Sequence, residues 1–227
     1  KDTTILNTLS ENNKEQIEKL TETAVKNADA SEESAQLIAK VVAAASDELA
    51  NKVVEEVSKN STDENQALSA KVMKSIVETN PEKIETLSDE NKETIIKQTI
   101  EAAKNQAEGT STDEIDLTNT IAEIVTKSDT GTAAKVLETL EEISNESESK
   151  LSLSVVSNLT KQENYEEKME ILSVTSSIVE QSITKLVEKA VENASSEEDL
   201  ELVSDIVENS KGTIADKVIN SANNNEE

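Results

Sequence analysis

The side chains of this 227-residue chain that could do chemistry are carboxylates, lysines and hydroxyls. The sequence contains no histidine and no cysteine, and every basic residue is a lysine. It therefore lacks the commonest general base, the thiolate nucleophile, imidazole metal ligands and the guanidinium group that binds phosphate bidentately. A serine beside a lysine can catalyse acyl transfer, but both types are so frequent that no pair stands out. We predict no enzymatic activity, no catalytic residue and no cofactor.

The 48 acidic residues raise the question of a calcium site. The nearest candidate is the segment STDEIDLTN, residues 111–119. It lacks the alternating oxygen ligands, the central glycine and the final glutamate of an EF-hand loop. Asp113 and Glu114 are better interpreted as residues at the start of a helix. We predict no metal site, and only weak screening of the surface by divalent cations.

The formal net charge of −26 bears on the choice of partners. Because lysines are distributed among glutamates, this surface is expected to repel nucleic-acid phosphates and anionic membrane surfaces. No apolar run approaches the roughly 18 residues that a membrane span needs. The sequence therefore predicts no nucleic-acid partner and no membrane insertion, and its charge favours solubility of a long, exposed array.

One stretch of sequence is written three times. Residues 124–137, IVTKSDTGTAAKVL, align without a gap with residues 206–219, IVENSKGTIADKVI, at an offset of 82 residues. Residues 41–54, VVAAASDELANKVV, stand in the same register 83 residues before the first of these. A second marker, Leu-Ser, occurs in ILNTLS, KIETLS and KMEILS, at 9–10, 87–88 and 172–173, and a similar segment follows each copy. Self-similarity at a fixed period is typical of stacked supersecondary units.

The elements that carry this repetition are predicted to be helices. Apolar residues recur at helical spacing, for example at Leu37, Ile38, Val41 and Val42, and no segment shows a strand pattern. Hydrophobic residues make up only 34% of the chain, which suffices for helices that each bury one stripe. We predict an all-α fold, an elongated α-solenoid of about three tandem repeats of about 82 residues with four or five helices each. The repeats are placed at 1–79, 80–163 and 164–227, the last being incomplete.

Helix ends and core positions can be assigned from residue types. Three pairs have capping-box spacing, and proline and glycine suit the start and the end of a helix. The core is aliphatic, because Phe and Trp are absent and Tyr165 is the one aromatic residue, interpreted as lying on a helix start. The assignments are capping boxes at Ser61–Glu64, Ser111–Glu114 and Ser195–Glu198; Pro81 in a first turn; Gly109 past a helix end; Val125, Val136, Val207 and Val218 in the core; and Lys135 and Lys217 on the surface.

Two classes of function remain. The first is a structural segment of a longer acidic fibre, stalk or adhesin outside the cell or on its surface, whose partner is itself, end to end, in a filament. The second is an intracellular scaffold that binds peptides or proteins on a concave face, so a cytoplasmic location stays open. Binding hot spots favour Trp, Tyr and Arg, and only one such residue is present, so the structural class is favoured. The unfinished third repeat predicts a piece of a longer array, and the abundance of Lys, Asn and Ile without Arg suggests a bacterial source.

Overall fold

The computed structural model describes residues 16, 19–59, 62–109, 115–144, 149–175, 177–210 and 213–224. Within these ranges the chain is helical and contains no strand, which confirms the predicted all-α class. The first helix, α1, covers 19–26 in its described part. The following helices are α2 (Glu32–Ala44), α3 (Asp47–Val57), α4 (Asp63–Thr79), α5 (Glu82–Glu85), α6 (Asp89–Ala107), α7 (Leu117–Lys127), α8 (Thr130–Ser144), α9 (Ser149–Thr160), α10 (Tyr165–Thr175), α11 (Ser177–Glu192), α12 (Glu197–Asn209) and α13 (Thr213–Asn224).

Two of the predicted capping boxes are wrong by one residue. Thr62, not Ser61, is the N-cap of α4, and its hydroxyl accepts from the Asn65 amide. The box of α12 is formed by Ser196 and Asp199, not by Ser195 and Glu198. Both segments, STDEN and SSEED, offer overlapping hydroxyl and acidic pairs, so spacing alone does not choose between registers. The third predicted pair, Ser111–Glu114, lies outside the described residues.

The remaining single-residue assignments agree with the backbone. Pro81 has α-helical dihedral angles directly before α5, and its carbonyl accepts from the Ile84 amide at 3.0 Å. Gly109 follows α6 with a φ of 70°, a conformation that a side chain disfavours. Tyr165 is the first residue of α10 and is buried. The helix-start interpretation of the aromatic ring is therefore confirmed.

The chain divides into two compact units, 1–102 and 103–227, with the boundary inside α6. In the first unit α2 packs against α3 and α4, and α3 packs against α4. Hydrogen bonds from Asn91 and Gln98 join α6 to α3. The predicted repeats at 1–79, 80–163 and 164–227 are a different division, and they stay a prediction.

In the second unit each long helix packs against the long helix that follows next but one. If α10 is treated as the segment that leads into α11, the pairs are α7 with α9, α8 with α11, α9 with α12 and α11 with α13. Neighbouring helices such as α7 and α8, or α12 and α13, also pack on each other as hairpins. Burial of one apolar stripe per helix against two neighbours is how such an arrangement forms a core from aliphatic residues alone.

The predicted core positions are mostly buried. Val125, Val136 and Val218 are fully enclosed, whereas Val207 is only half-buried. Lys135 is half-buried, and the side chain of Lys217 lies outside the described residues. The register of the repeated stretch is thus correct, but its third copy is less covered than its second.

Candidate functional site

The corner that follows one helix of each repeat has the same backbone geometry in all three copies. Ala45, Ser128 and Ser210 come directly after α2, α7 and α12, and each has an extended conformation with ψ of 158°, 174° and 156°. Each donates its amide to the carbonyl of the residue four positions earlier. These residues occupy the same position in the three aligned stretches, so the sequence period corresponds to a recurring corner.

Lysines bind the carbonyl groups at these corners. The Lys83 ammonium donates to the Ala45 carbonyl at 3.0 Å, and Lys168 donates to the Ser128 carbonyl across 40 residues of sequence. The buried Lys71 makes a related contact with the carbonyl of Ala30, at 2.6 Å, ahead of α2. A cation at the carboxyl end of a helix satisfies unpaired carbonyls and interacts favourably with the helix dipole. These lysines therefore fasten one helix to another rather than serving only as solubilising charge.

Lys83 also pairs with the next helix of the corner. Its ammonium lies 3.2 Å from Oδ1 of Asp47, the first residue of α3. The hydrogen bond from Lys83 lowers the pKa of Asp47 below its ordinary value. Lys83 therefore contacts both helices that meet at the Ala45 corner.

Residue types alone did not single out these corner lysines. The signal was present in the Leu-Ser marker, because KIETLS and KMEILS both begin with the lysine concerned, four residues before the leucine. In the first copy of the marker the same position is Ile5. Without a structure, nothing indicated that this lysine meets a carbonyl about 40 residues earlier.

A cluster of amide side chains joins α6 to α3. The Asn91 amide group donates to the backbone carbonyl and to the side-chain oxygen of Asn51, both at 2.9 Å. Further along α6, the buried Gln98 donates to the carbonyl of Ser58 at 2.8 Å and accepts from the hydroxyl of Ser69. Polar groups inside a helical core must be paired in this way because an unpaired one is costly.

A polar groove of about 460 Å³ runs beside this cluster. Lysines and glutamates alternate along it, and Lys59 donates to Glu56 nearby at 2.6 Å. This hydrogen bond lowers the pKa of Glu56 even though burial opposes the shift, and Lys26 contributes from 3.6 Å. Charged and amide groups of this kind can bind a polar polypeptide segment. The lining residues are Glu48, Asn51, Lys52, Glu55, Ser58, Lys59, Ser88, Glu90, Asn91 and Thr94.

An apolar groove of about 480 Å³ lies between α1 and α2. Leu20 and Leu37 stand at its edges and are 71% and 63% exposed. Val41 and Val53 lie deeper in the groove. This end of the first unit therefore presents an aliphatic surface to solvent.

The acidic segment proposed above as the nearest calcium candidate is used, where it is described, for helix capping. Asp116 is the N-cap of α7, and its Oδ1 accepts from the Asn119 amide at 2.9 Å and from the Thr118 hydroxyl at 2.7 Å. Residues 111–114 lie outside the described residues. Across the described ranges, no cluster of three or more acidic side chains is arranged to hold a metal ion.

Among the helices that the structure describes, none combines the length and the apolar character that crossing a membrane requires. Comparison with models of known protein families, with curated proteins and with solved structures finds no match to this chain.

Proposed function

We propose that this chain is a structural helical-repeat segment, whose hairpins stack into an α-solenoid within an acidic fibre, stalk or adhesin at the cell surface. The observation that carries the proposal is the recurring corner: the same extended cap at Ala45 and Ser128, each bound by a lysine from a later helix. A contact that repeats with the sequence period joins one repeat to the next by the same chemistry. Such contacts extend an array without a limit set by the fold.

Charge supports the same proposal. At −26, neighbouring arrays repel one another laterally, while the lysine contacts act along the chain at partly buried positions. Lateral repulsion with axial cohesion favours separate filaments over bundles.

The polar groove beside α3 and α6 supports the alternative, an intracellular scaffold that binds a polypeptide. Its asparagine and lysine side chains can donate to the backbone carbonyls and carboxylates of an extended ligand. The asparagines that line it already bond to each other, however, and the bound peptide would have to compete with that pairing. The structural role is therefore the better supported of the two.

Small-angle scattering and surface labelling test the proposal together. A compact domain of this length has a radius of gyration of about 17 Å. We expect a larger radius, with a pair-distance distribution that has a long tail, and we expect labelling of the protein on intact source cells. A symmetrical distribution at the compact radius, or protection from labelling until the cells are broken, would contradict the structural role.

A further inference from the structure

The three copies of the repeated stretch differ in how well one apolar face is covered. We call this face the forward face. It comprises three aligned positions: Ile38, Val42 and Val54 in α2–α3; Ile121, Val125 and Leu137 in α7–α8; Val203, Val207 and Ile219 in α12–α13.

In the first two copies the forward face is buried. All six side chains are at most 7% exposed. In the first copy α4 packs against α2 and α3, and in the second copy α9 packs against α7 while α11 packs against α8. Each covering element thus belongs to the hairpin that comes next in the chain.

In the third copy the forward face is open. Val203 and Val207 are only half-buried, and Ile219 is 45% exposed although its counterpart Leu137 is 1% exposed. Other positions of α12 and α13 do not lose their burial: Ile206 and Val218 are as enclosed as Ile124 and Val136. The exposure is therefore confined to one face of an otherwise packed hairpin.

The corner next to this face also matches the occupied copies. Ser210 has the backbone geometry of Ser128, and both serines are buried with a hydroxyl that has no hydrogen-bond partner among the described residues. At the Ser128 corner the carbonyl is bound by Lys168, which lies in α10, between the two covering helices α9 and α11.

We propose that the forward face of α12–α13 is a docking surface for a helical hairpin of the α9–α11 type, with a lysine of its connecting segment bound to the Ser210 carbonyl. This inference rests on the proposed structural function and names the element that continues the array. The support comes from within the chain, because aligned residues form the same interface twice, with α4 and with α9.

A second copy of this chain is a poorer occupant than such a hairpin. In a second copy stacked in the same register, the segment ILNTLS would take the place of KMEILS. It has Ile5 at the position of Lys168, so it supplies no ammonium for the Ser210 carbonyl. The chemistry of the partner is thus an aliphatic hairpin that carries a lysine in its connection.

An extended variant tests the proposal on the full chain. Residues 148–192, which contain α9, α10 and α11, are attached after Glu227, so that four residues join them to α13 as four join α8 to α9. We expect amide hydrogen exchange in α12 and α13 to slow by at least about tenfold, since burying even one aliphatic side chain is worth more than the roughly 1.4 kcal/mol that a tenfold change represents. Exchange in α2 and α3 should stay unchanged.

Two matched variants separate docking from a general effect of added chain. An extension of the same composition in shuffled order should give no protection. Val207→Asp in α12 should abolish the protection given by the native extension, although the chain without the extension tolerates it because Val207 is half-exposed. Lys168→Gln in the attached copy should remove part of the protection.

The proposal is overturned if the native extension protects no more than the shuffled one. It is also overturned if the chain without any extension self-associates as its concentration rises and Ile219→Asp abolishes the association, since the occupant is then a second copy. A compact scattering profile would refute the structural function by itself, and the exchange result would still decide whether this face docks a hairpin.

Discussion

Truncation of Leu137 and of Ile219 to alanine compares one position in two copies of the repeat. Both residues lie in the compact unit 103–227, at aligned positions of α8 and α13. Leu137 is 1% exposed and Ile219 is 45% exposed. Because the environment differs far more than the chemistry of the side chain, the difference in stability measures how much of the forward face is covered.

The expected magnitudes follow from burial. Truncation of an enclosed leucine removes its transfer free energy and leaves a cavity, so Leu137→Ala should cost about 2–5 kcal/mol. Ile219 has already kept nearly half of its surface in water, and alanine improves helix propensity, so Ile219→Ala should cost about 1 kcal/mol or less. For a chain of this size about 1 kcal/mol shifts the melting temperature by about 2–4 °C.

Urea denaturation followed by far-UV circular dichroism, with melting curves for the same proteins, measures both changes. We expect the Leu137→Ala midpoint to fall clearly below that of the parent and the Ile219→Ala midpoint to stay close to it. Equal losses for the two variants would show that Ile219 is covered in solution, and the reasoning about an open face would be wrong.

Three further predictions concern polar contacts, each checked by denaturation of the variant beside its parent. Gln98→Glu places a buried carboxylate against the Ser58 carbonyl; a pKa raised by burial makes stability fall as pH rises above the unfolded value of about 4.3, so the variant should lose at least about 2 kcal/mol at pH 7 and less at pH 5. Burial opposes ionisation of Asp199, but amides including that of Ser196 outweigh it and lower its pKa; Asp199→Asn should therefore cost about 1 kcal/mol at neutral pH, and this difference should vanish as pH falls below about 4. Lys83→Met keeps the aliphatic stem but removes the ammonium that caps α2, and should cost about 1–2 kcal/mol, whereas Lys97→Met at an exposed position should be nearly neutral.

The sequence was sufficient for the helical class and for the register of the repeated stretch. Apolar spacing is a local property, so positions such as Val125 and Val136 could be placed in the core without knowledge of what covers them. Gly109 was equally accessible, because only its own dihedral angle is involved. Overlapping hydroxyl and acidic residues left the cap of α12 ambiguous by one position, and Ser196 takes it because Asp199 reaches back to the Ser196 amide.

The lysine contacts could not be predicted from composition or helical spacing. Lys83 and Lys168 meet carbonyl groups that lie 38 and 40 residues earlier, and a lysine on a helix gives no sign of which distant carbonyl it meets. The half-burial of Val207 was missed for the same reason: its sequence neighbourhood matches that of Val125, and only the presence or absence of a following hairpin distinguishes them. Local pattern fixes which face is apolar, whereas tertiary packing decides whether the face is covered.

The hydrogen bonds also explain why the sequence repeats at twice the spacing of the contacts. Asn91 with Asn51, Gln98 with Ser58, and Lys168 with Ser128 are each 40 residues apart, close to half of the 82-residue period. A spacing of about 40 residues is one helical hairpin, so each contact joins a hairpin to the next one. The partners differ in chemistry, because one hairpin of a pair offers carbonyls at its corner and the next offers the lysine or the amide. Identity of sequence is therefore restored only after two hairpins, and an array built this way must be extended from an open corner such as Ser210 by a hairpin of the lysine-bearing kind.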